Sequence, residues 1–326
     1  MTFGLCPWLS STLAFEVPII PLMRILMVED SAVDRRKVGG YLKDWGLDHI
    51  IVGTGTEAAE ILARPDPPTM ALLDWVLPGL DGIELCRRIR ALGVTGTYVY
   101  TVMLTTKNRK QDLLTAMEAG ADDYLSKPVN ADELRARILV GKRILDLQQS
   151  LKFAASHDVL TGLLNRAEIL EALQREFSRS GREGRPAVLI LADIDHFKKI
   201  NDSMGHHAGD VVLKEVARRL KMDLRPYDLV GRYGGEEFLI ILPGCDLRVG
   251  VRRADEIRAL VSQGAITTTL GSANPTVSMG VTVTSSGDDH IVADLLHQAD
   301  VAMYRAKKNG RNRVEIFAGS ASAASL

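Results

Sequence analysis

The sequence predicts an α/β protein in two parts: an N-terminal doubly wound domain on a five-stranded parallel sheet, a helical linker, and a C-terminal α+β domain. Three observations predict it. The chain has 326 residues, and at roughly 150 residues per domain that length suggests two domains. In the first half, short continuous apolar runs alternate with helical patterns, as in sheets buried on both faces and built by right-handed crossovers. In the second half, two apolar strands flank Gly234-Gly235. That pair predicts a hairpin with a two-residue type I′ loop, because both loop positions then need positive φ.

Each element follows in order. Residues 1–22 are expected to be an unstructured extension, with Met23 as the working start: Glu16, Pro18 and Pro21 interrupt the apolar stretch and no Lys or Arg precedes it, a poor signal peptide. Strands are expected at 24–28, 50–52, 70–73, 97–104 and 124–125, with helices at 31–45, 56–63, 82–92 and 110–119 between them. A fifth helix starts near Asp132 and shows no clear stop. Val140, Ile144, Leu147, Leu151 and Ala154 are spaced four, three, four, three along it. This short heptad seam can pair two chains as an extension of a folded domain; the plainer alternative is an amphipathic linker packed on its own domain. The resulting bounds are 23–141 for the first domain, 142–156 for the linker, 157–318 for the second domain and 319–326 for a disordered tail. In the second domain, strands are expected at 187–192, 227–233, 236–242, 276–284 and 313–317. Helices are expected around 213–220, at 249–261 and at 291–308.

Composition narrows the function. The chain is 46% hydrophobic and 25% charged with a net charge of −1, so neither a nucleic-acid nor an anionic-membrane partner is expected on electrostatic grounds. No run approaches the roughly 18 apolar residues of a membrane helix. The three cysteines, Cys6, Cys86 and Cys245, stand apart without C-x-x-C spacing. This fits a reducing, cytoplasmic setting rather than a disulfide framework.

Doubly wound sheets place ligands at the C-terminal ends of their strands. Those ends carry Glu29-Asp30, Asp74, Thr105 and Lys127. Three carboxylates at one edge repel unless a hard cation such as Mg²⁺ sits among them, and a hydroxyl and an ammonium complete a phosphate site. Together, Val28-Glu-Asp30, Leu73-Asp-Trp-Val-Leu-Pro-Gly-Leu-Asp-Gly82, Leu104-Thr105 and Ala121-Asp-Asp-Tyr-Leu-Ser-Lys-Pro128 resemble the motifs of response-regulator receiver domains. The resemblance implies that Asp74 accepts a phosphoryl group from a cognate histidine kinase or phosphotransfer protein. It implies that Glu29, Asp30 and Asp74 hold Mg²⁺ and that Thr105, Lys127 and Tyr124 sense the phosphate. The polar segment Thr106-Lys-Asn-Arg reads as a switch loop, and the Lys127–Pro128 bond is often cis in the family.

The second domain also carries carboxylates. Asp193 and Asp195 close an expected strand and share one face by its two-residue period. Glu236 and Glu237 follow the hairpin loop. Carboxylates for divalent metals and cations for phosphates are the equipment of phosphoryl and nucleotidyl transfer; Lys198, Lys307 and Arg311 supply the cations, the last two four apart on one helix face or its frayed end. The string Asp158-Val-Leu-Thr-Gly-Leu-Leu-Asn-Arg166, Asp193-Ile-Asp-His-Phe-Lys-Lys-Ile-Asn-Asp202, Gly205-His-His-Ala-Gly-Asp210, Arg232-Tyr-Gly-Gly-Glu-Glu-Phe238 and Ala299 to Arg313 resembles GGDEF domains, with Gly-Gly-Glu-Glu-Phe as the signature variant.

That resemblance implies a diguanylate cyclase, a nucleotidyltransferase that condenses two GTP into cyclic di-GMP and two pyrophosphates. Asp193, Glu236 and the Ile194 carbonyl are then Mg²⁺ or Mn²⁺ ligands, with Glu237 at the reacting ribose. Asn201 and Asp210 read the guanine. Lys198, Lys307, Arg311 and backbone amides around Phe197 neutralise the triphosphate. His206, in the Gly-His-x-x-Gly-Asp turn, joins the substrate-binding group as a hydrogen-bonding residue; His206 and His207 do not read as a metal pair. A carboxylate at Asp210 pairs with guanine N1–H and N2–H₂, which adenine does not offer on that edge. One site holds one GTP, so two domains must face each other, implying a homodimer. The rival reading is a catalytically inactive receptor for cyclic di-GMP or GTP. Finally, the Arg225-Pro-Tyr-Asp228 spacing resembles the inhibitory product site of many diguanylate cyclases, with Arg252 as a further arginine matched by spacing and Glu256 where another arginine is common. The alternative for Arg225 to Asp228 is a plain turn.

Overall fold

β1 (Ile25–Val28), β2 (His49–Val52), β3 (Met70–Asp74), β4 (Tyr100–Thr105) and β5 (Asp123–Ser126) pair in parallel in the order β2-β1-β3-β4-β5. Between and after them run α1 (Ala32–Asp44), α2 (Gly55–Leu62), α3 (Gly82–Gly93), α4 (Lys110–Glu118) and α5 (Ala131–Ser156). The structure is a computed structural model that describes residues 23–93, 97–106, 110–284 and 292–317. The expectations for 1–22, for the tail and for most of the Thr106–Arg109 segment lie outside these residues.

The continuous apolar runs have a simple cause. Along β1, Leu26 and Val28 enter one core, with Leu73 and Met103, while Ile25 and Met27 enter the other, with Leu72 and Val102. Both faces are covered, so alternation disappears from the sequence. The helices start where local chemistry permits. Ser31 Oγ accepts from the Asp34 amide at 3.3 Å, and Thr54 Oγ1 accepts from the Glu57 amide at 3.2 Å. β4 begins at Tyr100, later than expected from the apolar run at Thr97.

In the second unit, β6 (Ala187–Ile194), β7 (Leu229–Gly234) and β8 (Glu237–Pro243) are antiparallel neighbours. β9 (Ile266–Thr268) and β10 (Gly271–Ala273) form a separate hairpin, and β11 (Val277–Val283) and β12 (Val314–Ile316) complete the main sheet in the order β12-β11-β6-β8-β7. β11 and β12 are its parallel pair. The helices are α6 (Arg166–Glu183), α7 (Phe197–Met222), α8 (Leu247–Val261) and α9 (Val292–Lys308). The described residues form two compact units that meet between Gln149 and Ser150, so α5 spans the division.

One expectation is corrected and two elements are added. The hairpin loop is Gly235-Glu236, not Gly234-Gly235: Gly234 ends β7 and pairs with Glu237, only Gly235 of the two glycines has positive φ (42°), and a bulge lies between Arg232 and Gly234. One positive-φ glycine at the first loop position is the type II′ requirement, and the bulge absorbs the extra residue. α6 was not anticipated, since its buried face is sparse, mainly Ile169, Ala172 and Leu173. Its signal was Asn165-x-x-Glu168: Asn165 Oδ1 accepts from the Glu168 amide at 3.0 Å. The β9–β10 hairpin was also missed, its strands being only three residues each.

One contact fixes the end of this sheet. A Cβ at Gly280 of β11 would lie 2.0 Å from the Ala299 carbonyl oxygen and 2.3 Å from the Met303 amide nitrogen of α9. Only glycine admits the two backbones this close.

Candidate functional sites

At the C-terminal edge of the parallel sheet, Glu29, Asp30 and Asp74 bring ligand oxygens within 4.8 Å of one another. Glu29 is fully buried, Asp74 is buried and Asp30 is exposed. Lys127 Nζ lies 2.9 Å from Asp74 Oδ2 and 2.7 Å from Glu29 Oε2. Burial, reinforced by the Asp74 charge, holds the Glu29 carboxyl above the usual range despite the pull of Lys127. For Lys127, burial opposes the charge, and Glu29 and Asp74 outweigh it, so its pKa is raised. Three clustered carboxylates, two of them buried and repelling each other, fit a divalent cation held by hard oxygens. Thr105 is buried at the end of β4, and its carbonyl accepts from the Lys127 amide at 2.8 Å. Tyr124 is half-buried against the core beside them. The Lys127–Pro128 peptide is cis.

The second site forms where β6 ends beside the hairpin. Asp193 pairs in register with Glu237 across β6 and β8, and the Ile194 amide donates to the Glu236 carbonyl at 3.3 Å. These pairings bring Asp193, Ile194, Glu236 and Glu237 to one edge. Lys307 Nζ reaches in from α9 to 2.7 Å from Asp193 Oδ2. Burial raises the Asp193 pKa against the Lys307 bond, with the Glu236 and Asp195 charges adding to it. Burial and then the Asp193 charge raise that of Glu237. Carboxylate and carbonyl oxygens gathered beside an ammonium have the chemistry for a divalent cation, which Asp193, Glu236 and the Ile194 carbonyl would hold.

α7 carries the residues expected to face a nucleotide. His196 enters it with φ 57°, Phe197 is buried, and Lys198 is exposed. A break at Gly205 (φ 77°, ψ 162°) separates the Asn201 segment from Asp210. Asn201 Oδ1 is buried without a partner, and a Cβ at Gly209 would lie 1.9 Å from it. Asp210 is half-buried, and His206 and His207 are exposed. Arg311 lies beyond the end of α9, at φ 62°, so it shares no helix face with Lys307 and sits instead in the turn that follows.

Asp195 follows the last residue of β6, on the face of Asp193: Ser278, opposite Asp193 in register, donates to it. Its carboxylate accepts from Thr276 Oγ1 at 2.7 Å, Ser278 Oγ at 2.6 Å and the Asn312 amide at 3.0 Å. Arg232 was quoted in a motif without a role. It pairs with Asp158 at 3.1 Å and donates twice to the Gly235 carbonyl, at 2.9 and 2.8 Å, clamping the hairpin loop that holds Glu236. The Asp158 contact leaves no periodic trace in the sequence, since its partners are distant along the chain.

The Arg225–Asp228 segment is a turn in which Asp228 Oδ2 accepts from the Arg225 amide at 2.9 Å. The buried Arg253 lies 3.3 Å from the same oxygen, while Arg252 is exposed and lies 3.8 Å from Glu256. The exposed Arg225 guanidinium lies 5.9 Å over the Tyr227 ring. Arg253 therefore pairs with Asp228, while Arg252 beside it stays exposed.

Residues 25–139 match the family described as response regulator receiver domain, and residues 155–313 match the family described as diguanylate cyclase, GGDEF domain. The chain belongs to the response regulators that carry a GGDEF domain. It is 36% identical over 302 residues to the response regulator PleD of Caulobacter vibrioides, across 89% of this chain and 65% of that protein. It therefore spans somewhat less than two thirds of the relative's length. It is 35% identical over 196 residues to the diguanylate cyclase DosC of Escherichia coli, across 57% of this chain and 41% of that one. Among solved structures, the coiled coil and GGDEF domain of DgcB from Caulobacter crescentus, in complex with c-di-GMP, is similar at 31% identity and a TM-score of 0.51, covering 57% of this chain and 97% of that one. In this response regulator the GGDEF signature reads Gly-Gly-Glu-Glu-Phe, from Gly234 to Phe238. No helix among the described residues is long and apolar enough to cross a membrane.

Proposed function

We propose that this response regulator is a cytoplasmic diguanylate cyclase, switched on by phosphorylation of Asp74 and by pairing of two chains. The observation that carries the reading is the edge where Asp193, Glu236 and Glu237 meet Lys307: carboxylates for a divalent metal beside a cation for phosphate. The unpartnered Asn201 Oδ1 and the half-buried Asp210 supply acceptors for the guanine.

In the reaction, the 3′-hydroxyl of one GTP attacks the α-phosphorus of the second and pyrophosphate leaves; repeating the step in the other direction closes the ring. A divalent cation held by Asp193, Glu236 and the Ile194 carbonyl would neutralise phosphate charge there. The chain's own residues do the rest. Lys307 leaves Asp193 for the triphosphate, joined by Lys198, Arg311 and the amides around Phe197. The raised pKa of Glu237 makes it a better acceptor for the 3′-hydroxyl proton. His206 supports the turn before Asp210.

Control starts at Asp74. Phosphorylation by a histidine kinase or phosphotransfer protein puts a dianion where Lys127 now holds a carboxylate, with Thr105 and Tyr124 responding. Val140, Leu147 and Leu151 of α5 are exposed at 44%, 65% and 70%, so most of the heptad seam is available for a second copy; Ile144 packs on its own core. Pairing through that seam is the means by which two catalytic domains meet. Cyclic di-GMP bound at Arg225 and Asp228 restrains them.

The test is to incubate the purified chain with GTP and Mg²⁺, with and without a small-molecule phosphoryl donor, and to assay cyclic di-GMP beside Glu236→Ala. Donor-stimulated product from wild type alone is the expected result. Binding of nucleotide without turnover under both conditions identifies the receptor reading instead.

A further inference from the structure

Gly310, Arg311 and Asn312 have φ of 115°, 62° and 46°. The last two are not glycine; asparagine tolerates left-handed backbone, but at Arg311 it persists only where surroundings over-determine it. The surroundings here are specific. The Arg311 amide donates to the Ala306 carbonyl at 3.0 Å, and Arg258 donates to Asn312 Oδ1 at 2.8 Å. The Asn312 amide donates to Asp195 Oδ2 at 3.0 Å.

Asp195 is 5% exposed, and its other bonds reach the start of β11, at Thr276 and at the fully buried Ser278, which pairs in register with Asp193. Its own amide donates to the Thr276 carbonyl at 2.8 Å. The next residue is His196, whose left-handed backbone opens α7. One buried carboxylate therefore joins the end of β6, the start of β11 and the turn that carries Arg311.

We infer that Asp195 is a positioning residue for the triphosphate: through the Asn312 amide it holds the turn after α9 that carries Arg311. The inference rests on the proposed reading of Arg311 as a triphosphate cation. Asp195 itself touches no substrate. Without it the Asn312 amide loses a charge-assisted bond and the turn relaxes toward ordinary backbone, carrying Arg311 away.

The experiment compares binding of GTP and of guanosine, by calorimetry, to the full chain and to Asp195→Ala, Arg311→Ala and the double variant. The expected result is a loss of about tenfold in GTP affinity for each single variant, no further loss in the double variant, and guanosine affinity equal to wild type throughout. Asp195→Asn, which keeps the size and one acceptor, should bind GTP with intermediate affinity, and it decides the matter if Asp195→Ala does not fold. GTP affinity unchanged in Asp195→Asn and Asp195→Ala overturns the inference, as do additive losses in the double variant or a parallel loss of guanosine. Absence of GTP binding by wild type overturns the proposed function and this inference together; wild-type binding that survives loss of Asp195 overturns this inference alone.

Discussion

Lys307 Nζ sits 2.7 Å from Asp193 Oδ2, so the two residues assigned to phosphate and to metal are paired with each other in the protein alone. Lys127 does the same at Asp74, at 2.9 Å. In both sites an ammonium occupies the carboxylate on which the chemistry depends, and each pair must open when a more highly charged guest arrives.

Lys307→Met should therefore separate two effects. With the competing ammonium gone, Mn²⁺ alone should bind the catalytic site about three- to tenfold more tightly. Cyclic di-GMP formation should fall by about tenfold or more, because the triphosphate loses a cation. Calorimetric titration with Mn²⁺ and a product assay check the two arms.

Asp74→Asn should take up no phosphoryl group from a donor and should stay monomeric and weakly active. Light scattering before and after donor treatment reads this directly. Donor-driven dimerisation of the variant would place the modification elsewhere.

Asp210→Ser removes a paired acceptor for guanine. The ratio of GTP to ATP turnover should fall by about tenfold or more, measured as kcat/KM for each nucleotide. An unchanged ratio would assign base recognition to other side chains.

Arg225→Ala should raise the cyclic di-GMP concentration needed for half inhibition by about tenfold. Arg225 projects its guanidinium over Tyr227, while Asp228 already serves the turn, so the arginine is the cleaner test. Identical inhibition curves would leave the segment as a turn only.

Glu215 gives a pH prediction. Hydrogen bonds from Arg218 and then Arg219, working against burial, pull its pKa from 4.5 to about 2. A lowered carboxyl pKa contributes stability that is complete above the unfolded value and lost as pH falls toward the folded one. Glu215→Gln should cost about 1–2 kcal/mol at pH 7, and denaturant midpoints should show the gap narrowing at pH 3. A gap independent of pH would assign the cost to packing.

Much of this was legible because it is periodic or local. Both-face burial wrote the strands of the first sheet as apolar runs, and the strand-end residues Asp74, Thr105 and Lys127 could be read from where those runs stop. The hairpin was visible as a hairpin, but its loop was misplaced by one residue, because a bulge beside Tyr233 is set by sheet twist rather than by a glycine pair. The Arg253–Asp228 pair left no sign in the sequence, since helix spacing alone does not say which of two adjacent arginines is buried.

Gly280 bears on how the catalytic edge can move. With no side chain there, α9 lies against β11 backbone to backbone, and a helix seated that closely cannot slide along the strand without collision. Lys307 must therefore travel between carboxylate and triphosphate by its flexible stem alone. The exchange is a local swing over a distance set by one side chain, fast on the scale of domain motion, and a bulkier residue at position 280 would miscalibrate its reach without touching either end of the swing.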